Sequence, residues 1–109
     1  HDTISNFHLI FLLQLTKFLG FYPQENDPDA AYFEMIEGVF SPLQGTSCLN
    51  AHETILLKKL LNLRFENIQK NFHKEERQVL LKILLEYYSI HLQGFKRPNS
   101  LDVLKEIFA

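Results

Sequence analysis

Apolar residues crowd the first twenty positions of the chain and then recur at helical spacing in three later stretches. From Asn6 to Leu19 apolar residues lie almost all round the helix, which predicts a central, deeply buried one. Gly20 closes it and Pro23 keeps it from continuing. Residues 24–47 then break the pattern with Pro28, Gly38, Pro42 and Gly45. Inside that stretch Tyr32–Ile36 and Val39–Phe40 flank Glu37-Gly38, the pattern of two short strands around a tight turn. Asn50 followed by Glu53 is a capping-box variant that opens a second helix, with Ile55, Leu56, Leu57, Leu60, Leu61 and Leu63 as its apolar face.

The periodicity weakens through Phe65, Ile68 and Phe72, where a short helix or turn is expected. It returns most clearly from Glu75 to Leu92. There Glu75, Gln78, Lys82, Glu86, Ser89 and Gln93 form one polar stripe, and leucines with Tyr87 and Tyr88 fill the rest. Gly94 ends that helix. Asn99 and Asp102 cap a last one, whose Leu101, Leu104, Ile107 and Phe108 recur at helical spacing. These elements predict a mostly α domain over residues 1–109: a compact helical bundle of four to six helices, with a small β-hairpin between the first and second helices.

Composition narrows the class. The 109 residues are 46% hydrophobic and include 10 phenylalanines, enough for one core. The most apolar run, Phe7 to Leu15, is interrupted by His8 and Gln14 and falls short of the ~20 residues of a bilayer span, so no membrane partner is expected. A basic leader and small-residue cleavage site are not evident. Cys48 is the one cysteine and cannot form an internal disulfide, which points to a reducing, cytoplasmic setting. The chain opens on His1 rather than Met and is expected to be a piece of a larger protein.

Net charge is −2 but unevenly placed: residues 1–57 hold one basic residue against seven acids, and residues 58–109 hold ten against six. A basic half favours an anionic partner. Catalysis lacks its parts. Cys48 and His52 are four apart, but Asn50 caps the helix and leaves Cys48 outside it. The histidines (His1, His8, His52, His73 and His91) show no metal-type clustering, and one cysteine does not make a structural zinc set. No phosphate loop, nucleophile elbow or carboxylate pair is present. The expectation is a non-enzymatic binding domain, with no cofactor and no metal. Lys96-Arg97 beside Phe95, together with Lys58, Lys59 and Arg64, are the expected anion or DNA contacts. Lys70, Lys74 and Arg77 extend the second group but alternate with acids.

Three stretches carry a resemblance: "NFHLIFLLQLTKFLGFYP", "YFEMIEGVF" and "LLEYYSIHLQGFKRPNSLDVLKEIF". In order and spacing they resemble the C-terminal part of the RecO family of bacterial DNA repair proteins, most closely its Bacteroides-type members. In that family an apolar helix ends in Gly-aromatic-x-Pro, here Gly20-Phe21-Tyr22-Pro23, and a short hairpin follows. A later helix ends in a His-Leu-x-Gly-Phe-like sequence, and a Ser-Leu-x-x-Leu helix closes the domain, here Ser100 to Leu104.

The resemblance implies a part in recombinational repair by the RecF pathway. That role comprises annealing of complementary strands and, with RecR, loading of RecA onto DNA covered by single-stranded DNA-binding protein. It further implies contact with the acidic, Phe-terminated tail of that protein, and weak single-stranded DNA contacts of its own. The family's N-terminal OB-fold is absent from this chain. A competing reading is a purely structural domain that orients the OB-fold. Zinc-bearing members carry two cysteine pairs around the hairpin; with Cys48 alone, no zinc is expected. The hairpin is expected to be held instead by Tyr32, Phe33, Ile36, Val39 and Phe40.

Overall fold

The computed structural model describes residues 5–63 and 72–92. Its elements run α1 (Asn6–Leu19), β1 (Tyr32–Glu34), β2 (Val39–Ser41), α2 (Ala51–Asn62) and α3 (Lys74–His91). Among the described residues there are thus three helices and one two-stranded antiparallel sheet, which corrects the expected bundle of four to six helices. Residues 21–50 are the physical reason. Pro23, Pro28, Pro42 and the turn at Gly38 keep this stretch from becoming helical, yet it delivers Ala30, Phe33, Met35, Phe40 and Leu49 to the core. An irregular segment and a hairpin do the covering that further helices would do in a bundle. The expected short helix near Phe65–Ile68 and the last helix from Asn99 lie outside the described residues.

Helix α1 begins at a reciprocal cap: Ser5 Oγ accepts from the His8 N–H at 3.3 Å, and His8 Nδ1 accepts from the Ser5 N–H at 3.1 Å. Burial holds the His8 imidazole below its ordinary pKa, in keeping with an acceptor nitrogen. At the other end Gly20 takes φ +95°, and its N–H and that of Phe21 both reach the Thr16 carbonyl. The helix is not buried all round, as its composition suggests. Leu9, Ile10, Leu12, Leu13 and Thr16 face the core, while Phe7, Phe11, Phe18 and Leu19 are exposed, Phe18 to 88%. Fourteen residues of one helix have only about half their circumference to give to a core built from one side.

The hairpin is shorter than its apolar run. Phe33 pairs with Phe40 and Glu34 with Val39, and a four-residue turn over Met35–Gly38 replaces the expected two-residue one. The turn is closed by the Gly38 N–H, which donates to the Glu34 carbonyl at 2.8 Å, while on the other side of the strand the Met35 N–H donates to the Ser47 carbonyl at 3.0 Å. Residues 47–49 thereby line the outer edge of β1, and Leu49 donates to the Phe33 carbonyl at 2.9 Å. On the far edge Asn26 imitates a strand: its Oδ1 accepts from Phe40 N–H at 2.9 Å and its Nδ2 donates to the Phe40 carbonyl at 3.1 Å. Both edges of a small sheet are thus satisfied locally. Of the five side chains expected to hold the hairpin, Phe33 and Phe40 are buried, Tyr32 and Val39 are half-buried, and Ile36 is 55% exposed. Thr54 on α2, fully buried, completes the seat by accepting the Phe33 N–H at 3.1 Å.

Helix α3 ties the layers together. Tyr88 Oη donates to the Leu12 carbonyl of α1 at 2.6 Å, and Tyr87 Oη to the Phe21 carbonyl at 2.7 Å. Burial pushes both hydroxyls up to about 12. The unfolded chain releases these protons from about pH 10 upward, whereas the folded chain keeps them until about 12. Their stabilisation is therefore complete below pH 10 and is lost as pH rises from 10 through 12. Urea unfolding at stepped alkaline pH should show this decline, and Tyr87→Phe with Tyr88→Phe should flatten it. A slope unchanged in the double variant would rule out these two groups.

Candidate functional site

Each expected anion contact has a different fate. Lys58, on α2, is half-buried, and its ammonium donates to the Pro28 carbonyl at 2.9 Å and to the Ala30 carbonyl. It also lies 5.6 Å above the Phe40 ring. Its charge is engaged in pinning the loop before β1 to α2. Lys59, the next residue, is exposed on another face of the same helix. Arg64, Lys96 and Arg97 lie outside the described residues.

Other cations are partly absorbed by the fold as well. Lys17 sits 4.7 Å over the Tyr22 ring, and Arg77 Nη1 donates to the Phe72 carbonyl at 2.7 Å. Lys74 and Lys82 stand exposed on α3. The structure brings no continuous basic track together among the described residues. Among these residues, too, no three His, Cys, Asp or Glu side chains gather as metal ligands. Cys48 lies before α2 with its Sγ 3.8 Å from the Leu43 carbonyl, and His52 is exposed in the first turn of that helix.

Two concavities stand out among the described residues. The larger, about 690 Å³, runs between one side of α3, the start of α2 and residues 46–49. The smaller, about 130 Å³, lies beside Lys58, with Glu25 and Asp27 at its edge. Sequence reasoning missed the larger one. Its signal was present as Val79, Ile83 and Ile90 bordering Lys82 and Glu86, a second apolar edge along the polar stripe of α3.

The comparisons with known proteins bear on the whole chain. A family model described as the recombination protein O C terminal matches residues 1–101. The chain belongs to the RecO family. The DNA repair protein RecO of Flavobacterium johnsoniae is 60% identical over 109 residues, covering 100% of this chain and 46% of that relative. Its counterpart in Flavobacterium psychrophilum is 57% identical over 110 residues, with the same coverage. That of Bacteroides fragilis is 38% identical over 111 residues, covering 97% of this chain and 46% of the relative. The chain thus spans less than half the length of these curated relatives. No solved structure matches it.

The RecO resemblance rests on residues that touch each other. Phe21, from the Gly-aromatic-x-Pro sequence, packs edge-on against Tyr87 and Tyr88 and stacks on His91 at 5.4 Å and 15°. His91 opens the His-Leu-x-Gly-Phe sequence, and its Nε2 hydrogen-bonds the Met35 carbonyl at 2.8 Å. Two RecO sequence signatures far apart in the chain therefore meet as one junction of α1, the hairpin turn and α3. Their described residues do structural work, and no binding site is needed to account for them. No helix among the described residues is long and apolar enough to cross a membrane.

Proposed function

We propose that this chain is the C-terminal, non-enzymatic part of a recombinational repair mediator of the RecF pathway. The protein as a whole anneals complementary strands and, with RecR, loads RecA onto DNA coated by single-stranded DNA-binding protein. This part supplies protein-partner contacts and secondary contacts to single-stranded DNA. Membership of the RecO family, through relatives named DNA repair proteins, is the observation that supports the reading. Lys59, Arg64, Lys96 and Arg97 are the proposed anion contacts. Lys58 joins them only to the extent that its ammonium leaves the Pro28 and Ala30 carbonyls.

The second reading, a structural domain that orients an OB-fold outside this chain, is favoured by one feature. Lys58 and Arg77 spend their donors on backbone carbonyls of the fold itself. Fluorescence anisotropy separates the two readings. A labelled acidic, Phe-terminated tail peptide of the single-stranded DNA-binding protein, and a labelled single strand, are titrated with the chain at two salt concentrations. Saturable binding that weakens with salt and is reduced by Lys96→Glu with Arg97→Glu supports the mediator reading. A folded chain that binds neither ligand leaves the structural reading in place.

A further inference from the structure

The larger groove has a chemistry opposite to the one that nucleic acid or an acidic tail requires. Its floor is apolar: Met35, Leu49 and Ile83 are buried beneath it. Ile36 and Ile90 stand at its lips, 55% and 43% exposed. Its α3 wall extends from Val79 to Ile90, roughly 16 Å of helix at 1.5 Å per residue. Facing it, residues 46–49, which begin in a turn, form a wall fixed to β1 through Met35 and Phe33.

The charged residues on its rim are Glu53, Glu86 and Lys82. Two further acids stand next to lining residues: Glu34 pairs with Cys48 across the bridge, and Glu37 follows Ile36. Glu53 and Glu34 are held in place by backbone donors, the N–H groups of Asn50 and Glu37. Two carboxylates against one ammonium on the lining, with Glu34 and Glu37 on residues adjoining it, give the rim a net negative charge that disfavours phosphates and acidic peptides and attracts cations.

We propose that this groove is a docking site for a basic segment of a protein partner, one that inserts apolar side chains between α3 and residues 46–49 while its lysines or arginines meet Glu86 and its acidic neighbours. Its volume of about 690 Å³ suits several bulky side chains, and its lips are already apolar where such a segment would enter. The inference does not depend on the mediator reading, because its ligand has the opposite charge to the tail and the DNA considered there.

The test uses the intact chain and two labelled synthetic peptides, one alternating lysine and leucine, the other with glutamate in place of each lysine. Cys48 lines the groove and is the chain's one cysteine, so its alkylation rate reports occupancy of this place alone. The lysine peptide is expected to bind saturably and to slow alkylation of Cys48. Glu86→Lys, at an exposed position, should weaken that binding several-fold without changing the urea midpoint. Equal binding of the glutamate peptide would overturn the proposal. So would lysine-peptide binding that leaves the Cys48 rate unchanged, or protection of Cys48 by single-stranded DNA or by the acidic tail.

Discussion

Replacing Phe33 by alanine is expected to cost about 3–5 kcal/mol, a large share of the roughly 5–15 kcal/mol that holds a domain of this size together. Phe33 is 1% exposed and its ring meets Phe40 at 4.9 Å and Tyr87 at 5.7 Å. Its backbone joins α2 through the Thr54 hydroxyl and the segment before that helix through the Leu49 N–H. Truncation opens a cavity where β1, α2 and α3 converge, and the backbone bonds around it limit how far the walls can close. Phe18→Ala is the matched control: 88% exposed, it should change stability by no more than about 0.5 kcal/mol. Urea midpoints of the two variants decide the matter. If Phe33→Ala lost less than about 1 kcal/mol, the hairpin would not be part of the cooperative core.

Gly38→Ala is expected to cost about 2–4 kcal/mol, for two separable reasons. The residue sits at φ +71°, where a side chain is strained. A Cβ there would also lie 2.6 Å from the Tyr87 hydroxyl oxygen. That oxygen cannot step aside freely, because it is bonded to the Phe21 carbonyl and its ring is packed against Phe21, Phe33 and His91.

Removing the hydroxyl relieves the clash, since the next atom of the ring is 3.7 Å away. Tyr87→Phe alone should cost about 1 kcal/mol for its hydrogen bond. In the double variant the cost should fall short of the sum of the two single costs by about 1 kcal/mol or more, leaving the φ term and the lost hydrogen bond. Strict additivity would mean that the turn moves away from α3 when the methyl group arrives.

Much of the local structure could be read from residue order, because its causes are local. The span of α1, the Asn50–Glu53 box that starts α2 and the Gly20 stop each depend on neighbours within four residues. The positions of both strands were legible to within a few residues for the same reason. The pairing of residues 47–49 along the outer edge of β1 was not, since Ser47 reaches Met35 from twelve residues away. Nor was the exposed face of α1, where composition is apolar all round and only the position of the other elements selects the buried side.

The candidate site divides along the same line. Sequence alone determined which residues carry charge, that one cysteine stands near the hairpin, and which family the signatures resemble. Tertiary structure decided what those residues are free to do. Lys58 reads as a surface cation off the apolar face of its helix, yet the carbonyls that hold it come from residues 28 and 30, a loop whose approach nothing in α2 announces. Phe21 and His91 read as ends of helices, and only folding shows them stacked on each other. An acid-rimmed groove arises from Glu53, Glu86 and Cys48 on three separate segments. Capping and periodicity act over a few residues and are written in order; charge partners and concave surfaces join distant residues and exist only once the chain is packed.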